Sequence, residues 1–419
     1  MDKNPKICSV CGKEGSEFLC ACKQLYYCGA ACQKAGWKKH KPKCGVHLAK
    51  QIRKKEAGGE GARDDLAIAE DHYRLGRIHL NHGRLAEAEE SLKLARHLFA
   101  VVKGNDNIEF AEACNALGTV YRTMVRYGDA LSMYNEALAI SRRRLGEKHP
   151  SIGSVLSNIG AVYRMQGDLR NALEYLMQAL AVETEALGKQ SDAVAATLCD
   201  IGNIYCVLGE VDKGLEMLEE GLGITRRIDG GKDDERVAVA LGNIADAYKK
   251  QGKFEEALAK YGEALAIYRR VHGEKHTSVA CTLLCIAHIY VARGDLEEAL
   301  RLAMKALKIH RRVHGNEHIK VAASIHCLAT IYGMKGQCGQ ALKMADEAIG
   351  IFTRTSGVDH VHLGPFHYTK GVSREVLGDK EGALESFREA QRIFRMHANS
   401  DAKCSLEVAN SVRRLEGSV

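Results

Sequence analysis

Leu156-Ser157-Asn158-Ile159-Gly160-Ala161-Val162-Tyr163-Arg164-Met165-Gln166-Gly167-Asp168-Leu169-Arg170-Asn171-Ala172-Leu173-Glu174-Tyr175-Leu176-Met177-Gln178-Ala179-Leu180 decides the fold. Leu156, Ile159, Gly160 and Tyr163 fall at helical spacing, Gly167-Asp168 interrupts the run, and Ala172, Leu176, Ala179 and Leu180 resume it. The stretch reads as two helices joined by a tight turn. Gly160 and Ala172 are small enough to let the two helices approach closely, while the larger residues fill the seam against a neighbour. A single hairpin cannot bury its apolar face, and the rest of the chain supplies the neighbours. Tyr121, Tyr163, Tyr205, Tyr248, Tyr290 and Tyr332 follow one another at intervals of 42, 42, 43, 42 and 42 residues. Ala130, Ala172, Gly214, Ala257, Ala299, Ala341 and Ala383 keep the same beat. A fixed period of this length predicts stacked supersecondary units, an all-α solenoid.

The pattern resembles the tetratricopeptide repeat: Leu or Ile, Gly or Ala, and Tyr on the first helix, then Ala, an aromatic or Leu, and Ala on the second. It covers roughly residues 66–397, about eight hairpins. Asn158, five residues before its tyrosine, and joints such as Leu145-Gly146-Glu147-Lys148-His149-Pro150 resemble the kinesin light chain subtype. No heptad region accompanies them to pair with a motor heavy chain. The resemblance implies that first helices line a concave face, where polar side chains not needed for packing are candidate contacts for an extended peptide. Asn115, Arg122, Asn158, Arg164, Asn203, Asn243 and Lys249 fit that description. Asparagine offers a donor and an acceptor to a peptide backbone, and Arg or Lys fixes an acidic residue.

Departures from the beat mark the ends. His79 stands at the tyrosine place of the first unit, Val125 replaces an inter-helix glycine, and Arg374 holds the tyrosine place of the last unit. Atypical terminal units are expected of such arrays. Residues 401–414, with Leu406, Val408, Ala409 and Val412, read as a closing amphipathic helix. The expected organisation is therefore a finger over 1–49, a charged, glycine-rich linker over 50–65, the repeats over 66–397, and a capping helix and tail over 398–419.

The finger is read from eight ligand-capable residues: Cys8, Cys11, Cys20, Cys22, Cys28, Cys32, His40 and Cys44. They fall as C-x2-C, C-x-C, C-x3-C and H-x3-C, enough for two tetrahedral zinc ions with no open position. The chain opens Met1-Asp2-Lys3-Asn4-Pro5-Lys6 without an apolar run behind it, so a reducing, intracellular setting is expected, in the cytoplasm, the nucleus or both. Thiolates with one imidazole suit zinc, and a closed site leaves no water to activate. A segment this short buries little, so metal supplies most of its folding free energy, on the order of 10 kcal/mol per site.

Tyr27-Cys28, Cys32-Gln33, Trp37, His40 and Cys44 together resemble the MYND zinc finger family over residues 8–44. The resemblance implies interleaved sites: Cys8, Cys11, Cys28 and Cys32 on one Zn2+, and Cys20, Cys22, His40 and Cys44 on the other. Cys20-x-Cys22 departs from the commoner C-x2-C, which leaves the regularity of the second site open. Such fingers take short proline-containing motifs, and Gln33 with Trp37 matches the family's peptide surface. Gln33 and Trp37 are four residues apart in a stretch read as helical, and an indole face suits a proline ring.

Residues 1–55 carry 13 Lys and Arg against 3 Asp and Glu, so the chain's net charge of +7 belongs to this end and the remainder is net acidic. Lys38, Lys39, Lys41 and Lys43 raise nucleic-acid binding as an alternative, but the segment lacks a long recognition helix and an array of stacking aromatics. Cysteines outside the finger, Cys281, Cys285 and Cys327 among them, read as small buried residues. His272 with His276 and His314 with His318 recur by the repeat beat without calling for a metal. No Walker loop, HExxH, nucleophile elbow or dinucleotide fingerprint appears, and no segment approaches a membrane span. A SET-type lysine methyltransferase, the enzyme alternative, needs a β-rich insert for which the repeat register leaves no room. The expectation is a non-enzymatic protein-protein interaction scaffold, with protein or peptide partners, two zinc ions, and no small-molecule substrate.

Overall fold

The computed structural model describes residues 18–19, 26–27, 52, 61–228, 230, 234–358, 360, 362–396 and 402–417. Strands β1 (Phe18–Leu19) and β2 (Tyr26–Tyr27) pair antiparallel, Phe18 opposite Tyr27 and Leu19 opposite Tyr26. Cys20 and Cys22 fall between them in sequence.

Helices follow in chain order: α1 (Gly61–Asn81), α2 (Leu85–Lys103), α3 (Ile108–Thr123), α4 (Tyr127–Leu145), α5 (Pro150–Gln166), α6 (Leu169–Leu187), α7 (Asp192–Leu208), α8 (Val211–Ile228) and α9 (Glu235–Lys250). They continue with α10 (Phe254–His272), α11 (Thr277–Arg293), α12 (Leu296–His314), α13 (Ile319–Met334), α14 (Cys338–Ser356), α15 (Leu363–Val376), α16 (Lys380–Met396) and α17 (Ala402–Glu416). Odd-numbered helices through α15 are the first helices of hairpins and even-numbered ones the second. α1 takes in residues 61–65 of the stretch expected as a linker. The described residues fall into two compact units, one running to Val162 and including Ala181–Ala186, the other comprising Tyr163–Leu180 and everything from Leu187.

The turn inside each hairpin explains the tyrosine beat. The carbonyl of Tyr163, Tyr205, Tyr248, Tyr290 or Tyr332 accepts a hydrogen bond of 2.9–3.0 Å from the backbone N–H five residues later. Between them sits a residue with positive φ, Gly167, Gly209, Gly252, Gly294 or Gly336, which is the geometry of a Schellman stop. The same bond forms from Arg126 to Tyr121, and there Val125 takes φ +63°, the one non-glycine with positive φ among the described residues.

In the first unit, α1 packs on α2 and α3 on α4 at small-residue contacts. A Cβ on Gly118 would lie 2.6 Å from Cε1 of Tyr134, so the ring rests directly on the glycine backbone. Tyr134 is fully buried and donates its hydroxyl to Thr119 Oγ1 at 3.1 Å.

In the second unit, Gly202 and Gly214 bring α7 against α8 so closely that a Cβ on either would meet the other's carbonyl oxygen at under 3 Å. The core continues through Ala245, Ala257, Tyr261, Leu283, Ala287, Ala299, Ala303 and Leu328, alternating small and large residues along adjoining helices. α17 closes this unit: Val408, Val412 and Leu415 pack on Phe387, Ala390 and Phe394 of α16. Leu406, expected on that apolar face, is 59% exposed, and Leu415 takes the inward position instead. Among the described residues no helix is long and apolar enough to cross a membrane.

Candidate functional site

First helices flank a hollow in each unit. In the second unit, α7 and α9, with Thr225 of α8 and Val271 of α10, line one of about 700 Å³ that includes Ala195, Ala196, Val239 and Ala240 together with Asp200 and Asn243. Its rim is acidic. Asp192, Asp234 and Glu235 line it together with Arg236, which is bonded to both Asp192 and Asp234. Hydrogen bonds from the Arg236 guanidinium, and then from its backbone N–H, hold the Asp234 carboxyl below the usual carboxylate range. Apolar side chains next to an amide and carboxylates are the mixture that binding clefts use.

In the first unit, α1, α3 and α5, with Ser141 and Leu145 of α4, line a smaller hollow of about 400 Å³ that includes Tyr73, Arg77, Glu112, Asn115, Thr119 and Ser154. Burial pushes the Tyr73 hydroxyl and the Glu112 carboxyl upward from their ordinary ranges. Asn158 on α5 donates its side-chain amide to Asn115 Oδ1 on α3 at 3.0 Å, so two of the sequence-derived candidates form one pair.

The other candidates divide by what already holds them. Arg122 gives a hydrogen bond to Tyr134, which makes it part of the α3–α4 packing. Lys249 Nζ lies 2.6 Å from Asp246 Oδ1, which also accepts the buried Tyr261 hydroxyl at 2.7 Å. Arg164 is exposed and Asn203 half-buried. The asparagines occupy more than one register. Asn158 and Asn243 stand five residues before their tyrosines, Asn115 six and Asn203 two. Asp200, absent from the sequence-derived set, shares the register of Asn158 and Asn243. Its place five residues before Tyr205 was the available signal.

The cysteines of the repeats are packing residues. Cys114, Cys206, Cys327 and Cys338 are buried. Burial raises the thiols of Cys114 and Cys327 to about 12 and those of Cys199 and Cys285 to about 11, so they stay protonated. Among the described residues no three His, Cys, Asp or Glu side chains are grouped to hold a metal. The finger candidates Cys8, Cys11, Cys20, Cys22, Cys28, Cys32, Gln33, Trp37, His40 and Cys44 lie outside the described residues.

Comparison with known proteins agrees with both resemblances. The family model for the tetratricopeptide repeat matches residues 65–143, 109–185, 193–270 and 278–354, and that for the MYND finger matches residues 8–44. No curated protein matches the chain. Among solved structures, a Rap protein complexed with Competence and Sporulation Factor is similar at 15% identity and a TM-score of 0.59, covering 88% of this chain and 99% of that one. The apo quorum sensor NprR from B. thuringiensis is similar at 15% identity and a TM-score of 0.59, covering 86% and 97%. A putative kinesin light chain of Podosopora anserina with nearly identical TPR-like repeats is 24% identical over 50% of this chain and 98% of its own, with a TM-score of 0.42. At such identities the likeness speaks to fold alone.

Proposed function

This chain belongs to the tetratricopeptide repeat family, and from that premise we propose that it is a non-enzymatic adaptor that holds two peptide segments at once. Tetratricopeptide and MYND modules are both protein-interaction modules, which supports an adaptor role. The finer reading assigns one kind of ligand to each module: the finger takes a short proline-containing motif through Gln33 and Trp37, and the first helices take an extended peptide. The observation that carries the second assignment is the hollow along α7 and α9, which Asn243 and Asp200 line together with Ala195, Ala196, Val239 and Ala240. The Rap relative, whose structure holds Competence and Sporulation Factor, shows the same architecture carrying a bound partner.

The MYND family is zinc-binding, and the donor set here fits that metal: seven thiols and one imidazole, with no carboxylate among them. Cys8, Cys11, Cys28 and Cys32 would hold one ion and Cys20, Cys22, His40 and Cys44 a second. Fully ligated by protein, each ion would shape the module and activate no water. Linking the two docking modules through residues 50–65 would give avidity for a partner that carries both motifs.

Panning the full chain against a displayed peptide library tests the reading. Two separable peptide classes are expected, one proline-containing and lost with Trp37→Ala, the other lost with Asn243→Ala. A single class sensitive to neither substitution would overturn it.

A further inference from the structure

At one register of the repeat, Asn107, His149, Ser191, Asp234, His276 and His318, a side chain caps the helix that follows. Asn107 accepts from the N–H of Phe110 at 2.8 Å, Ser191 from Val194 at 3.4 Å and Asp234 from Arg236 at 2.7 Å. The histidines do the same through Nδ1: His149 accepts from Ser151 at 3.2 Å, His276 from Ser278 at 3.2 Å and His318 from Lys320 at 3.1 Å. An imidazole nitrogen accepts only while unprotonated. Charging it sets a donor against a donor and places a cation at the positive end of the helix dipole. The array therefore mixes imidazole caps with amide, hydroxyl and carboxylate caps.

Ahead of α11 and α13 the arrangement is doubled. His272 stacks on His276 and His314 on His318, each pair with ring centroids 4.1 Å apart and planes within 22°. Protonating both members of a pair puts two like charges in contact. The surrounding groups lean the same way. Lys320 on α13 places a positive charge near His276, His314 and His318, and its Nζ donates to Thr277 Oγ1, which in turn lies 3.1 Å from His314 Nε2. His310 on α12, against Ser324 of α13 at 2.8 Å, is buried and held neutral. Glu235 on α9 opposes them, 3.2 Å from His272 Nε2, while Glu317 in the second joint is paired with Arg354. Glu274 in the loop is already tied to Arg269 and Lys305. Burial first, then neighbouring cations, holds His276, His314 and His318 below the ordinary imidazole range.

We propose that the joints opening α11 and α13 are a proton-operated release: protonation of the His272–His276 and His314–His318 pairs removes both caps, unstacks the rings and frees the first turns of these two helices. Helices capped by Ser191 and Asp234 in the same unit stay closed. Because α11 and α13 are first helices, acidification changes the peptide-facing side of the second unit while the Ser191 and Asp234 caps of α7 and α9 remain in place. The device requires no particular ligand for the groove.

Amide exchange resolved by NMR on the full chain at pH 7.5 and 5.5, expressed as protection factors, tests this. Ser278 and Lys320 should lose at least about tenfold in protection on acidification, while Val194 and Arg236 change by less than about twofold. A His276→Asn/His318→Asn double variant keeps a good cap that does not titrate and should abolish the difference. Equal loss at all four amides, no loss at Ser278 and Lys320, or an unchanged acid response in the double variant would overturn the proposal. Should that variant fail to fold, the comparison of the four amides in the unmodified chain still decides.

Discussion

Asn158 and Asn115, 43 residues apart in sequence, meet side chain to side chain across successive first helices at 3.0 Å. The bond uses one N–H of Asn158 and the oxygen of Asn115, so the Asn158 oxygen and the Asn115 amide hydrogens remain as the acceptor and donor a peptide backbone needs. Repeat geometry turns two isolated residues into one amide platform.

Asn158→Ala should therefore weaken binding of a groove peptide by about 1 kcal/mol, roughly fivefold in Kd, the scale of one neutral hydrogen bond. Titration calorimetry with a panned peptide measures it, alongside far-UV circular dichroism. A fall in helical signal in place of a change in affinity would assign Asn158 to packing.

Val125 holds φ +63° in a turn where the matching positions are glycine, and its side chain is 60% exposed. Left-handed backbone is costly for a β-branched residue, and this side chain packs against little that replacement would sacrifice. Val125→Gly should stabilise the first unit by about 1 kcal/mol, less the entropy glycine returns to the unfolded chain. Urea unfolding followed by circular dichroism should show a higher midpoint, whereas a lower one would mean that the turn tolerates valine without strain.

This position also shows what the sequence made legible. The hairpins, their period and the closing helix follow from Tyr121 to Tyr332 and from the alanines nine residues on, because packing dictates those residues. The glycine turns were equally readable, down to the misfit at Val125. What the amino acids did not disclose was which polar side chains the fold already uses. Arg122 and Lys249 sit where a ligand contact is expected, yet one bonds Tyr134 and the other Asp246, partners on other turns or helices that no local pattern reveals. Leu406 and Leu415 compete for one apolar face, and helical phase alone did not choose between them. The histidine beat was visible, but its capping role depends on which ring nitrogen faces the backbone.

Stripping zinc should separate the two modules. A strong chelator is expected to unfold residues 1–49, with up to about 10 kcal/mol per ion of coordination free energy lost, and to leave the repeat helices intact. Metal analysis should give two zinc per chain before treatment, and far-UV circular dichroism should change little after it. Collapse of the helical signal on chelation would tie the repeats to the metal.

Acid should destabilise the second unit well before its carboxylates titrate. Burial, and then Lys320, holds His310 at about 4, and burial, then the neighbouring His288, holds His326 at about 3, both below the ordinary 6.5. A depressed folded-state value means the folded chain favours neutral imidazole, so this contribution is complete above pH 6.5 and is lost as pH falls from 6.5 toward 4 and 3. Thermal unfolding at pH 7.5, 6, 5 and 4 should give a steadily falling Tm, with a shallower fall in His310→Gln. A flat profile above pH 5 would contradict these shifts.

Peptide docking on the first helices is the central claim. Hydrogen–deuterium exchange of the full chain with and without a panned groove peptide tests that most directly. New protection is expected chiefly on α7 and α9, centred on Asp200 and Asn243, with α8 and α10 affected only near Thr225 and Val271 and α12 unchanged. Protection confined to those second helices, or none on either set, would contradict it.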